Sequence, residues 1–93
     1  MAFFLHFNHH VRFSFQFFRS ISQAHGEGRK AERLLRSGKY EKAIGCHERA
    51  VGHLAQAMTQ CHLDTVQQSL SGQRDHHLRQ VQLLCLNLLF LIA

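Results

Sequence analysis

Alanine returns every seventh residue at Ala43, Ala50 and Ala57, and this recurrence restricts the fold more than any other feature. A row of small side chains at that period lies along one side of a helix and lets a neighbouring helix approach closely at a shallow crossing angle. Beside the row, Tyr40, Ile44, His47, Val51, Leu54 and Met58 recur at alternating spacings of four and three, one apolar stripe along the same helix. The opposite face carries Lys42, Glu48, Arg49 and Gln56, which suit solvent. Immediately upstream, Gly38 in "SGK" stands where a left-handed cap ends a preceding helix. The segment therefore reads as the second arm of a helical hairpin.

The first arm is expected to begin between Ser20 and Gly28 and to run to Ser37. Ala24, Ala31, Leu34 and Leu35 share its inner face, and Glu32 precedes Arg36 by four residues in the favourable orientation for a surface pair. A third helix is expected after a turn near Cys61–Thr65. Asp64 or Thr65 would cap it, with Gln68 of "TVQQ" reaching back as in a capping box. Val66, Leu70, His77, Val81 and Leu84 continue an apolar stripe along it, less cleanly. The chain has no proline, which also favours helices over a sandwich or barrel. The fold class expected is all-α: a three-helix antiparallel bundle over residues 20–86, with atypical tails at 1–19 and 87–93.

Those tails differ from the middle. Residues 1–20 hold seven of the eight phenylalanines and no acid. From Val11 to Phe17 apolar residues alternate with Arg12, Ser14 and Gln16, a strand pattern without a partner strand, so this head is expected to be loosely ordered. Its apolar runs are too short for a secretory signal, and Arg12 and Arg19 alone are sparse charge for a mitochondrial presequence. The last eleven residues, as helix, would span about 16 Å, short of the roughly 30 Å core of a bilayer.

Ninety-three residues with a formal charge of +5 suit one small domain. Cys46, Cys61 and Cys85, odd in number and not closely paired, read as reduced intracellular thiols. Nine histidines raise the question of metal. The pairs Cys46–His47 and Cys61–His62 are adjacent residues, however, and structural zinc ligands are usually spaced by two to four residues. On a helix Cys46 and His47 point about 100° apart, so His47 reads as a packed core histidine and Cys46 as a small packing residue. "HGEGRK" lacks the spacing of a phosphate-binding loop. No catalytic group, metal or cofactor is expected. The run Arg29, Lys30, Arg33, Arg36, Lys39 and Lys42, softened by Glu27, Glu32 and Glu41, reads first as a solvated face. Acidic protein or anionic lipid are its functional alternatives; nucleic acid is disfavoured because no aromatic residues interleave with the charges.

The string "AERLL..GKYEKAI.CHERA..HL..AM", followed by "GQRDHHLRQ", resembles the microtubule-interacting-and-trafficking (MIT) domain, and more narrowly the nuclear receptor-binding factor 2 family of such domains. The resemblance runs without gaps from Ala24 to about Leu84. "GKYEKAI" by itself is shared with tetratricopeptide repeats; the longer string is much more specific. The resemblance implies a non-catalytic subunit of the autophagy-specific class III phosphatidylinositol 3-kinase complex, docking on its coiled-coil, Beclin-containing subunits. It implies residence in the cytoplasm and on autophagic vesicles. Binding to nuclear receptors in the nucleus is the alternative, although the receptor-binding box Leu-x-x-Leu-Leu occurs nowhere here.

Departures from the family accompany the likeness. Gly26, Gly28, Gly45, Gly52 and Gly72 stand at helical positions where better helix formers are typical, each costing about 0.5–1 kcal/mol relative to alanine. Gln68 and Gly72 replace apolar residues and are expected to thin the core face of the third helix. The family continues into a charged helix and a dimerising coiled coil, whereas this chain ends in "CLNLLFLIA", so a shortened or alternative product is expected.

Two functions of different kinds remain. One is an adaptor that receives a partner helix in a groove, with Arg33, Leu34, Lys39, Tyr40, Ile44, His47, Val51, Leu54 and Met58 as the expected partner-binding residues. The other is a membrane-associated peptide held by its apolar tails around a basic middle.

Overall fold

The computed structural model describes the backbone of residues 2–92 and the side chains of residues 15–92. Three helices follow one another: α1 (Ala2–Arg36), α2 (Tyr40–Met58) and α3 (Asp64–Ile92). No strand is present among the described residues. The helix boundaries differ from expectation at the start of α1, which is continuous from Ala2 through the alternating segment read as a loosely ordered head. With neither proline nor glycine before Gly26, a helix nucleated in the bundle gains a hydrogen bond for each further residue it adds. The side chains of the first fourteen residues lie outside the described residues.

The α1–α2 turn forms as the glycine implied. Gly38 has φ 74°, the left-handed conformation. Lys39 N–H donates to Leu34 O at 2.9 Å and Gly38 N–H to Leu35 O at 3.0 Å, so a Schellman turn satisfies these two carbonyls near the end of α1. The α2–α3 turn is built differently. Asp64 is the first helical residue rather than the cap, and Gln67 N–H donates to Leu63 O at 2.9 Å. No capping box forms. Instead the Gln67 side-chain amide donates to Met58 O and Cys61 O, each at 2.6 Å, and ties the end of α2 to the first turn of α3.

α2 is the central helix, packed along both neighbours. One apolar cluster joins Ala24 of α1, Leu54 and Ala57 of α2, and Leu70 of α3. A second joins Ala31, Ala43, Cys46 and Leu84. Residue numbers rise along α1 and α3 as they fall along α2, so consecutive helices are antiparallel. All three alanines of the heptad row are fully buried, as their spacing required. Leu35 departs from expectation and is exposed. Gln68 and Gly72 are exposed as well, so they do not thin the core; α3 turns them to solvent and presents Leu70 and Leu84 inward. The ion pairs among the described residues are Glu27–Arg49 and Arg74–Asp75, and the Glu32–Arg36 pair is not among them.

Candidate functional site

Where the backbones of α1 and α2 approach over alanine, longer flanking side chains leave a groove. Lys30 and Leu34 of α1 wall one side; Glu41, Lys42, Gly45, Cys46 and Arg49 of α2 form the floor and the other side. It encloses about 590 Å³. Gly45 contributes to its depth, since a methyl there would lie 3.4 Å from Arg49 Nη1. The floor is apolar; Lys30 and Lys42 line the rim with Glu41, while Arg49 on the same rim is already paired with Glu27. A groove of this kind accepts a helix carrying apolar anchors and acidic flanks.

One edge is fixed by an ion pair. Arg49 Nε lies 3.3 Å from Glu27 Oε1, and Arg49 Nη2 donates to Cys46 Sγ at 3.2 Å. Burial pushes the Glu27 carboxyl up, but the Arg49 and Cys46 contacts and the charges of Arg49 and Lys30 outweigh it, and the group ends below its usual value. Burial and the neighbouring Glu27 push the Cys46 thiol up. Cys46 is thus held as a neutral thiol in the packing, the opposite of what activates a cysteine nucleophile.

Between the two apolar clusters the helices meet through histidine. His47 Nδ1 and His77 Nδ1 are 2.8 Å apart, one ring donating and the other accepting. His77 lies against Gly28 of α1: a methyl built there would be 3.3 Å from His77 Cε1. His25 Nε2 reaches Gln73 Oε1 at 3.3 Å nearby. Burial, reinforced by His47, His76 and His25, pushes His77 down to about 4. Burial and His76 also push His47 below its usual value, against the pull of Glu32. At neutral pH this is a polar core contact between uncharged rings. Among the described residues no group of three His, Cys, Asp or Glu side chains comes together to hold a metal ion.

The expected partner-binding residues do not form one surface. Leu54 is fully buried and His47 is 6% exposed, so both hold the helices together. Leu34, Tyr40 and Ile44 are half-buried against the Ala31–Leu84 cluster, and Met58 against the Ala24–Leu70 cluster. Val51 is half-buried, while Arg33 and Lys39 are exposed. Of the nine, Leu34 lines the α1–α2 groove, and Lys39 and Tyr40 line a smaller cavity with Leu88. Of the other groove residues, Lys30 and Lys42 belong to the basic run for which an acidic protein was a functional alternative, with Glu41 among the acids that soften it, whereas Gly45, Cys46 and Arg49 were not expected to bind; the sequence signal for these is a missing side chain at Gly45 next to the alanine row. A second groove between α1 and α3, lined by Phe17, Ile21, Val66 and Leu70, was also missed.

Residues 19–87 match the family described as the MIT domain of nuclear receptor-binding factor 2. The chain belongs to this family. An MIT domain is a non-catalytic helical interaction domain, and this bundle is a protein-interaction module of the nuclear receptor-binding factor 2 type. The match coincides with the packed part of the structure. Ser20 and Leu84 are the first and last buried residues among those described, so the MIT domain is the bundle itself, and both long helices project beyond it.

Proposed function

We propose that this MIT domain is a regulatory adaptor of autophagy. It docks on the coiled-coil subunits of the class III phosphatidylinositol 3-kinase complex by receiving one of their helices in the α1–α2 groove. The observation that carries this reading is the family match over the packed bundle, together with a groove whose apolar floor and cationic rim suit an acidic amphipathic helix. Rim charges chiefly set association rate and selectivity, while the apolar floor supplies most of the affinity.

The test is titration calorimetry of the 93-residue chain against the purified kinase complex. Lys30→Glu with Lys42→Glu should weaken binding at least about ten-fold, since reversed charges across an interface are repulsive. Circular dichroism of the double variant should be unchanged, because both residues are exposed. No binding by the unmodified chain would overturn the partner. Binding indifferent to both reversals would overturn the groove.

A further inference from the structure

The end of the bundle holding the α1–α2 turn combines an apolar helix end with a basic turn, of which the adaptor reading uses Lys42 alone. α3 runs past its last buried residue, Leu84, and closes with Leu89, Phe90, Leu91 and Ile92, each between 62% and 84% exposed. Successive helical residues are rotated by about 100°, so four in a row surround the helix with apolar side chains and leave no polar face. Leu88, one residue earlier, is half-buried and lines a cavity with Gly38, Lys39, Tyr40, Glu41 and Lys42. That contact fixes the root of the apolar tip against the basic turn. Arg33, Arg36, Lys39 and Lys42, all exposed, lie on or beside this turn, with Glu32 and Glu41 as the only carboxylates among residues 29–42.

We infer that this end of the molecule is a membrane-docking tip for an anionic lipid surface. Leu89, Phe90, Leu91 and Ile92 span about 6 Å along the helix, within the 5–10 Å depth that interfacial helices reach. The cations at the root then stand at headgroup level, where each contributes to attraction by anionic lipid. No described helix is long and apolar enough to cross a membrane. A second copy of the chain fits the same surface less well. Tip-to-tip pairing would bring two cationic turns together, and apolar residues around the whole circumference do not form the single seam that helix pairing requires.

The experiment is co-sedimentation of the full chain with vesicles of phosphatidylcholine alone and with added phosphatidylserine. Binding should appear with the anionic vesicles and weaken as salt is raised. Arg36→Gln with Lys39→Gln should reduce partitioning roughly 20–30-fold, about five-fold for each charge removed. Phe90→Asp with Ile92→Asp should abolish it, and circular dichroism should be unaltered because both side chains are more than 80% exposed. Phe15→Asp with Phe18→Asp, at the opposite end, should leave binding intact. Equal binding to neutral vesicles would overturn the inference. So would loss of binding with the Phe15 and Phe18 pair alone, or a concentration-dependent dimer in analytical ultracentrifugation that Phe90→Asp with Ile92→Asp dissolves.

Discussion

Gly28→Ala and Gly52→Ala are the same chemical change in two helices, and the structure gives them opposite signs. Replacing a helix-interior glycine with alanine stabilises by about 0.5–1 kcal/mol where space allows, because alanine loses less conformational freedom on folding. Gly52 is exposed and a methyl there meets nothing within 4 Å, so the full gain is expected. At Gly28 the methyl would lie 3.3 Å from His77 Cε1, inside the 3.5–4.0 Å of ordinary carbon contacts. His77 must move, and the movement stretches its 2.8 Å contact with His47. A partly buried imidazole left without its partner costs about 1–3 kcal/mol. The balance at Gly28 is a destabilisation of roughly 0.5–2 kcal/mol. With 4–8 °C per kcal/mol for a domain of this size, Gly52→Ala should raise the melting temperature by roughly 2–8 °C. Gly28→Ala should lower it by roughly 2–16 °C. The assay is thermal denaturation followed by circular dichroism at pH 7.5, with His77→Ala as a second background. There the obstruction is gone, and Gly28→Ala should become stabilising. If Gly28→Ala stabilises the unmodified chain as much as Gly52→Ala does, His77 does not pack over Gly28 and the reasoning fails.

The histidine pair, the α2–α3 turn and the alanine row each carry a further expected outcome. His47 and His77 take up protons more readily unfolded than folded, so stability should fall as pH drops from the ordinary histidine value near 6.5 towards about 4. Urea titrations across that window should show this slope, and His77→Gln should reduce it; a pH-independent midpoint would refute the buried pair. Gln67→Ala removes two hydrogen bonds at the α2–α3 turn and should cost about 1–2 kcal/mol, whereas Gln68→Ala, at an exposed position, should cost almost nothing. Equal urea midpoints for these two variants would contradict the turn geometry. Ala50→Leu should destabilise by about 1–3 kcal/mol through overpacking of a fully buried site, and Gln56→Leu should not; equal melting temperatures would mean that the inner face of α2 is assigned wrongly.

The sequence by itself determined those features that rest on local geometry. Gly38 specified the turn because a residue with positive φ strongly favours glycine, and the hydrogen bonds of that turn span only a few residues. The recurrence of Ala43, Ala50 and Ala57 specified the inner face of α2, since a helix carries residues seven apart to nearly the same side. Tertiary structure decided whatever depends on how one helix is rotated against another. The weaker stripe of α3 did not reveal that Gln68 and Gly72 face solvent, because its phase is set by the docking of Leu70 and Leu84 on α2. His47 meets His77 across thirty residues, and Glu27 meets Arg49 from a different helix, so no spacing along the chain announces either contact. The groove was illegible for the same reason. Lys30 and Leu34 come from α1 and Gly45 and Arg49 from α2, and its shape follows from how closely the alanines let those backbones approach. The binding stripe read from the sequence was in large part core. Periodicity identifies which residues share a face, and only packing decides whether that face is covered.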